Sequence, residues 1–473
     1  MSLTQYPKYY KTDTVWLNSI PYNWKMLKTK YLFKERSKKG FQNEPMLAAT
    51  QSHGVVPKTM YENRTVIAQK DLHLLKLVEP GDFVISLRSF QGGIEKAHYR
   101  GIISPAYTIL TPFILISGEY FKYLAKSKPF IKLLTTCVTG IREGQNIDYE
   151  VLKRSKLPVP MLQDQNQIAR YLDWKVSQIN KFIKAKKGQI ELLKEQKQVI
   201  INDAVTGKID VRTGKPYPNY KDTGLDWLKK IPESWEFKRL RTFANVRASG
   251  VDKNSAPDEI IVKLCNYVDV YKNDQISKVI NFMVATATPE EIKSFRVRAG
   301  DVIVTKDSES WKDIAVPAYV SEELSDVICA YHLSLIRVDV QIAIGEFIYY
   351  GFSSDQLSYQ FRISANGVTR YGLSQGAIKN GIFPIPSLSE QTEICKYLSL
   401  TTINIETLIQ KSTVAISLIQ EYRTRLIADV VTGKIDVRNI IIPDLKEEDV
   451  LIELQAHADI EEILDDATID IDL

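Results

Sequence analysis

The 473-residue sequence holds four cysteines and five histidines. Cys137, Cys265, Cys329 and Cys395 stand far apart, with neither the paired spacing of a zinc finger nor the density of a disulfide framework, so they are expected to be core or incidental thiols. His53, His73, His98, His332 and His457 are equally scattered, and no metal site is expected among them; His332 falls in an apolar run that reads as strand. No segment approaches 18 apolar residues, and the opening MSLTQYPKYY lacks the basic-then-apolar start of a signal peptide. The expectation is a cytoplasmic protein with no membrane partner. Two Thr-Gly-Lys triplets, at 206–208 and 432–434, lack the glycine that a phosphate-binding loop carries five residues before its second one, since Asn202 and Ala428 stand there. Both read as helix caps.

What is present is a charge imbalance and a repeat. The formal charge is +5, yet residues 439–473 carry twelve acidic residues against one lysine, a net of −11, which leaves +16 on residues 1–438. Such an excess suits a polyanionic partner, although a merely soluble basic surface would look the same. The repeat is long and gapless. QNQIARYLDWKVSQINKFIKAKKGQIELLKEQKQVIINDAVTGKIDVR at 165–212 returns as QTEICKYLSLTTINIETLIQKSTVAISLIQEYRTRLIADVVTGKIDVR at 391–438, an offset of 226 with VTGKIDVR identical in both.

In the first copy Leu172, Val176, Ile179, Ile183, Ile190, Leu193, Ile200 and Ala204 fall at steps of three and four, interrupted by Lys186 and Lys197. The second copy places Leu398, Thr402, Ile405, Ile409, Ile416, Ile419, Leu426 and Val430 at the matching positions, with breaks at Ser412 and Arg423. A narrow heptad stripe is the pattern of a helix lying against a partner helix, and matching breaks make the two copies each other's partner. At about 1.5 Å per residue, a helix of roughly 40 residues reaches on the order of 60 Å, so each reads as a strut ending at its Thr-Gly. A solvated amphipathic helix on a single globular domain is the plainer alternative.

A second repeat sits in front of each body. YPKYYKTDTVWLNSIPYNW at 6–24 returns as YPNYKDTGLDWLKKIPESW at 217–235, directly after the first strut. Its prolines and short apolar steps read as an extended, turn-rich lead-in. Each half therefore runs lead-in, body, strut, and the halves should be related by approximate twofold symmetry. The bodies, 26–160 and 237–386, share an order of elements: a Gly-Asp turn feeding an apolar strand (Pro80-Gly81-Asp82; Gly300-Asp301), a further strand (SPAYTIL; CAYHLSL), a helix (EYFKYLAKSKPFIKLLTT; GEFIYYGFSSDQLSYQF), and a loop leading to a Pro-x-Pro strand. The expected organisation is 1–160 first body with lead-in, 161–212 first helix, 213–388 second body with lead-in, 389–438 second helix and 439–473 acidic tail.

Lead-in, variable body and an LPVP…Q-Q-IA-YL helix ending in AVTGKIDVR, followed by the whole set again, resembles the specificity (S) subunit of Type I restriction-modification systems. The likeness also rests on DTGLDWLKKIPESW after GKPYP, the PAY strand, GQN and RYGLS before the closing Pro-x-Pro, and the duplicated TGKIDVR, and it covers nearly all of the chain to Arg438. It implies an α+β fold in which two mixed, β-rich target recognition domains are joined by two long helices forming an antiparallel coiled coil, pseudo-twofold symmetric. The resemblance implies that each body reads one half of a bipartite site on double-stranded DNA. The coiled coil would set the spacer and dock methyltransferase subunits, two of them, with restriction subunits in the full complex. S-adenosylmethionine, ATP and Mg2+ would be used by those partners and none of them by this chain.

The residues bear on that picture directly. An adenine methyltransferase needs an Asn/Asp-Pro-Pro-Tyr/Phe loop and a strand–glycine methyl-donor loop; the sequence has neither, so a non-catalytic subunit is expected. Loop amides and guanidinium groups are the natural base readers, Asn or Gln for adenine and Arg for guanine. In the first body these are Gln51, Ser52, His53, Arg88, Ser89, Gln91, Arg142, Gln145 and Asn146. In the second they are Asn266, Tyr267, Lys306, Asp307, Ser308, Glu309, Lys312, Asn366, Arg370 and Tyr371. About a third should touch bases, because phosphate and sugar take half to two-thirds of such contacts. The coiled-coil seam is expected at Leu172, Ile179, Ile183, Ile190, Leu193, Ile200, Leu398, Ile405, Ile409, Ile416, Ile419 and Leu426. Rival readings are an adaptor that carries two modules on a coiled coil and never touches DNA, and a DNA-binding protein that acts alone. Deleting one heptad from each helix is expected to shorten the spacer between the recognised half-sites; a spacer of unchanged length in the methylation pattern would contradict the ruler.

Overall fold

The computed structural model describes residues 4–51, 53–60, 71–139 and 146–443. Two compact units make up the chain, Met1–Gly188 with Ser412–Leu473, and Gln189–Lys411. Both long helices, Leu162–Val205 and Leu388–Val431, run to 44 residues, and each gives its two ends to different units.

The first unit is built on a four-stranded antiparallel sheet in the order Phe33–Arg36, Thr108–Pro112, Phe83–Ile85, Glu95–Lys96. Against it pack Gly118–Lys126 and Lys128–Thr136. The sequence pattern suggested one helix here. Ser127 breaks it, taking an extended conformation (φ −73°, ψ 140°) and capping the second helix through its side chain, with Pro129 in the first turn where a missing N–H costs nothing. Phe33, Phe83, Phe121 and Phe130 pack edge-on or tilted in the core, with Phe33 and Phe121 centroids 4.5 Å apart. Lys25–Lys28, directly after the lead-in hairpin, pairs antiparallel with Lys156–Val159, directly before the first long helix.

Within the second unit the same order recurs. Its sheet runs Ala244–Ala248, Leu333–Val338, Val302–Thr305, Pro317–Val320, with a fifth strand, Gln275–Ile276, added in parallel at the edge. Gly345–Ser353 and Asp355–Arg362 are again two helices, split at Ser354, whose side chain caps the second. A separate three-stranded sheet, Met283–Ala287, Ile260–Cys265, Val327–Cys329, is an elaboration of this unit. His332 is not inside a strand. It holds a left-handed backbone (φ 65°) immediately before Leu333–Val338. All four cysteines are buried and unpaired.

The duplicated octapeptide owes its identity to jobs done twice. Val205 and Val431 are fully buried; Thr206 and Thr432 donate their hydroxyls to the carbonyls of Asn202 and Ala428 at 2.6 and 2.7 Å. Gly207 (φ 70°) and Gly433 (φ 77°) take the left-handed cap, and a Cβ on either would sit 2.4 Å from Pro232 or Pro21 and just over 3 Å from Trp235 or Trp24. Asp210 clamps Arg212 through two oxygens, and Asp436 clamps Arg438 likewise. Each lead-in therefore seats on the end of the long helix in its own unit: Tyr9 OH donates to Gly433 O at 2.9 Å, and Tyr220 OH to Gly207 O at 3.2 Å. A buried glutamine locks each helix start to its body. Gln165 donates to the carbonyls of Leu115 and Pro160 and accepts from the N–H of Ser117, and Gln391 does the same with Ile342, Pro386 and Ile344.

Of the expected seam, Leu172, Ile179, Ile183, Leu398, Ile405 and Leu426 are buried, whereas Ile190, Leu193, Ile200, Ile409, Ile416 and Ile419 are half-buried. Two of the polar breaks are paired across helices. In the second unit Lys197 Nζ meets Glu406 at 2.7 Å and Asp274 at 3.2 Å; burial pulls its pKa down, and these carboxylates more than offset the pull, leaving it raised. In the first unit Arg423 Nη1 donates to Asn180 Oδ1 at 2.9 Å, and burial lowers its pKa. Replacing Gly207 or Gly433 by alanine should cost about 2 kcal/mol or more, from the left-handed backbone plus the overlap with Pro and Trp, and a fall in melting temperature for each variant checks it.

Candidate nucleic-acid interface

In each unit the candidate loops hang on a buried ion pair. The Gly-Asp turn turns its aspartate inward: Asp82 accepts from Glu79 N–H (2.8 Å) and Thr111 Oγ1 (2.8 Å) and pairs with Arg36 at 2.8 Å. Asp301 accepts from Arg298 N–H at 2.8 Å and takes both Nε and Nη2 of Arg337, at 2.7 and 2.6 Å. That bond raises the Arg337 pKa, with burial opposing. Both aspartates are 1% exposed. They fix the strand that follows, Phe83–Ile85 or Val302–Thr305, and hence the loop at its far end.

In the second unit that far end is Lys306, Asp307 and Ser308, where 307–308 pairs antiparallel with Tyr371–Gly372. Leu373 N–H donates to Lys306 O at 2.7 Å, and Lys306 N–H to His332 O at 3.0 Å. His332 Nδ1 bonds the Asp307 carboxylate. Tyr267 stacks on Tyr271 (centroids 5.6 Å, interplanar 14°), and Tyr271 OH donates to Asp313. That bond first, and burial second, pushes Tyr271 up to about 12. Burial also raises Tyr267, with Asp313 adding and Ser308 and Arg370 opposing, which puts Arg370 in the same cluster. Segments some 40 to 100 residues apart in the chain thus converge. Not all of them face out. Ser308 is buried, with its hydroxyl accepting from Ser310 N–H, and Asn266 caps the helix Tyr267–Tyr271, its N–H bonded to Asp269. Glu309, Lys312, Asn366 and Arg370 are exposed.

The first unit assembles its counterpart from the short helix Ser89–Gly92, which packs against Asn146–Ile147. Gln51 lies across Gly92, where a Cβ would come within 2.5 Å of its Cδ, and Lys126 Nζ holds the Gln51 carbonyl at 3.1 Å. Arg88 and Gln91 are exposed, and Asn146 is half-buried with its Oδ1 accepting from Ile147 N–H. Ser89 is buried, its hydroxyl accepting from Ser86 N–H at 2.8 Å, and His53 N–H is held by Thr50 Oγ1 at 2.9 Å. Ser52, Arg142 and Gln145 lie outside the described residues. Val138–Thr139 pairs with Asn146–Ile147 on either side of 140–145, as Asn366 and Gly372 bridge in the second unit.

A family model described as "Type I restriction modification DNA specificity domain" matches residues 232–415. The Type I restriction enzyme EcoBI specificity subunit of Escherichia coli is 24% identical over 353 residues, covering 66% of this chain and 71% of its own. The MjaVIII specificity subunit of Methanocaldococcus jannaschii is 23% identical over 357 residues, 72% and 76% of the two chains. Over residues 232–415 the chain is thus similar to the Type I restriction-modification DNA specificity domain, and both of these relatives are specificity subunits. A solved structure titled for complex assembly and conformational transition of the type I R-M system shares the fold, with a TM-score of 0.65 at 13% identity over 88% of this chain and 99% of that one.

Several residues of the cluster escaped the sequence: Tyr271, Asp313 and His332. Tyr271 had a signal, its spacing of four from Tyr267, and Asp313 shares a loop with Lys312. His332 had none, because its role depends on a left-handed backbone and a partner 25 residues away. Among the described residues no group of His, Cys, Asp and Glu is arranged to hold a metal ion, and no helix is long and apolar enough to cross a membrane. Arg36→Met should strand the Asp82 carboxylate in the core and cost about 3 kcal/mol; thermal melting against the parent protein measures it.

Proposed function

We propose that this chain is the DNA-specificity subunit of a Type I restriction-modification complex and performs no chemistry itself. One observation carries the reading beyond the family likeness. In each unit the loop after the buried-aspartate strand and the loop before the Pro-x-Pro strand are joined at one site, Ser89–Gly92 against Asn146–Ile147 and 307–308 against Tyr371–Gly372. Each site presents exposed side chains able to meet base edges and phosphates, among them Arg88 and Gln91 in one and Lys312 and Arg370 in the other. One scaffold built twice with two unlike loop sets suits the reading of two unlike half-sites.

On this reading the two long helices form an antiparallel coiled coil that spaces the half-sites, and the molecule is pseudo-twofold symmetric. Support comes from within each unit: the start of the first helix shares a core with the end of the second (Leu172 and Val176 with Leu426 and Val430), and the end of the first with the start of the second (Ile201 and Ala204 with Ile394 and Leu398). Asn180–Arg423 and Lys197–Glu406 occupy matching positions of the repeat. Exposed apolar residues along the helices, Leu192, Val199, Leu400, Ile403, Leu408 and Leu418, offer a surface for two methyltransferase subunits. Restriction subunits complete the assembly, and S-adenosylmethionine, ATP and Mg2+ belong to those partners.

Exchanging residues 26–160 for the corresponding body of a relative should change one half of the methylated sequence and leave the other intact, as mapped across the genome with and without the gene. An unchanged methylation pattern, or DNA affinity indifferent to salt, would favour an adaptor instead.

A further inference from the structure

Residues 366–372 of the second unit form a closed finger. Asn366 N–H donates to Gly372 O at 3.1 Å and Gly372 N–H to Asn366 O at 2.8 Å. Gly367 (φ 150°) permits the closure, since a Cβ there would fall 1.9 Å from Arg370 O. The root is fixed: Ser308 and Asp307 pair with Tyr371 and Gly372, and Leu373, 6% exposed, enters the core. The tip is bare. Val368 is 91% exposed, and Thr369 and Arg370 beside it are exposed.

Two features of that tip call for a ligand. A valine held out on a locked backbone gains nothing in the free protein, whereas an apolar side chain on such a finger can meet the 5-methyl group of thymine with its ordering entropy already lost on folding. Arg370 has no hydrogen bond or ion pair among the described residues, because the neighbouring carboxylates are engaged elsewhere, Asp307 by His332 and Asp313 by Tyr271. A guanidinium on a rigid exposed loop, kept from neutralisation by nearby acids, can offer both its donors to one acceptor pair.

Resting on the specificity reading above, we propose that finger 366–372 enters the major groove, where Arg370 reads a guanine through O6 and N7 and Val368 contacts the methyl of an adjacent thymine. The guanine edge presents two acceptors side by side only in that groove. Asp307, through His332 on one side and Gly372 on the other, positions the finger without touching the base.

The test uses the full chain in complex with its methyltransferase subunits, selecting from randomised duplexes and scoring methylation. For Arg370→Ala the expected result is loss of about tenfold or more of the preference at a single guanine of one half-site, with the other half-site unchanged. Replacing that guanine by 7-deazaguanine should weaken the parent complex and add nothing to the variant. Val368→Ala should erase the difference between thymine and uracil at one neighbouring position. The inference is overturned if Arg370→Ala keeps the full preference, or if it weakens all sequences evenly and flattens the dependence of log affinity on log salt by about 0.9, the mark of a phosphate contact. A parent complex that selects no sequence brings down the specificity reading and this inference with it.

Discussion

Burying the ends of two 44-residue helices in the cores of two β-rich units is the constraint from which the rest follows. A helix of this length, with polar residues around most of its circumference, takes its stability from packing of its apolar stripe. Here the stripe is fully buried only toward the ends. Ile168, Tyr171, Leu172 and Val176 join the aromatic core of the first unit, and Ile394, Cys395 and Leu398 that of the second. The middle positions, from Ile190 to Ile200 and from Ile409 to Ile419, are half-covered. Each body is thus continuous with helix, and Gln165 and Gln391 spend every side-chain donor and acceptor tying the helix start to its own body.

That anchoring gives each exposed loop a fixed root. From the core outward, each unit passes through a buried Asp–Arg pair to a short strand and then to an exposed loop. The buried pair adds little net stability over an apolar substitute but specifies direction, since an unpaired carboxylate at 1% exposure would be strongly disfavoured. Rigid roots and unlike tips let one architecture carry two different exposed surfaces. In the first unit the surface gathers on a short helix and Gln51; in the second it gathers on stacked tyrosines, a histidine–aspartate pair and a bridged finger.

Much of this architecture was legible in the sequence, for a physical reason. The gapless repeat, its copies 226 residues apart, preserves jobs that leave little room for substitution: the left-handed glycine under a tryptophan, the threonine that caps its own helix, the aspartate that clamps an arginine two residues on. These are local, so their residue types and spacings survive in the one-dimensional record. Helix breaks at Ser127 and Ser354 were less visible, because a serine cap inside an apolar run resembles an ordinary polar position until the next helix turns away.

By itself, then, the sequence determined the duplicated order of lead-in, body and long helix, the helix ends, and the likeness to Type I specificity subunits. Only tertiary structure decided which loop residues stand together and face outward. Ser308 and Ser89 looked like readers and are buried, whereas Tyr271, absent from the sequence expectations, stacks in the cluster, and Val368, absent likewise, is 91% exposed. The reason is that a strand of two residues, Asp307–Ser308, finds its partner at Tyr371–Gly372 more than sixty positions later. A pairing of that range is set by the core beneath it, which no local pattern encodes.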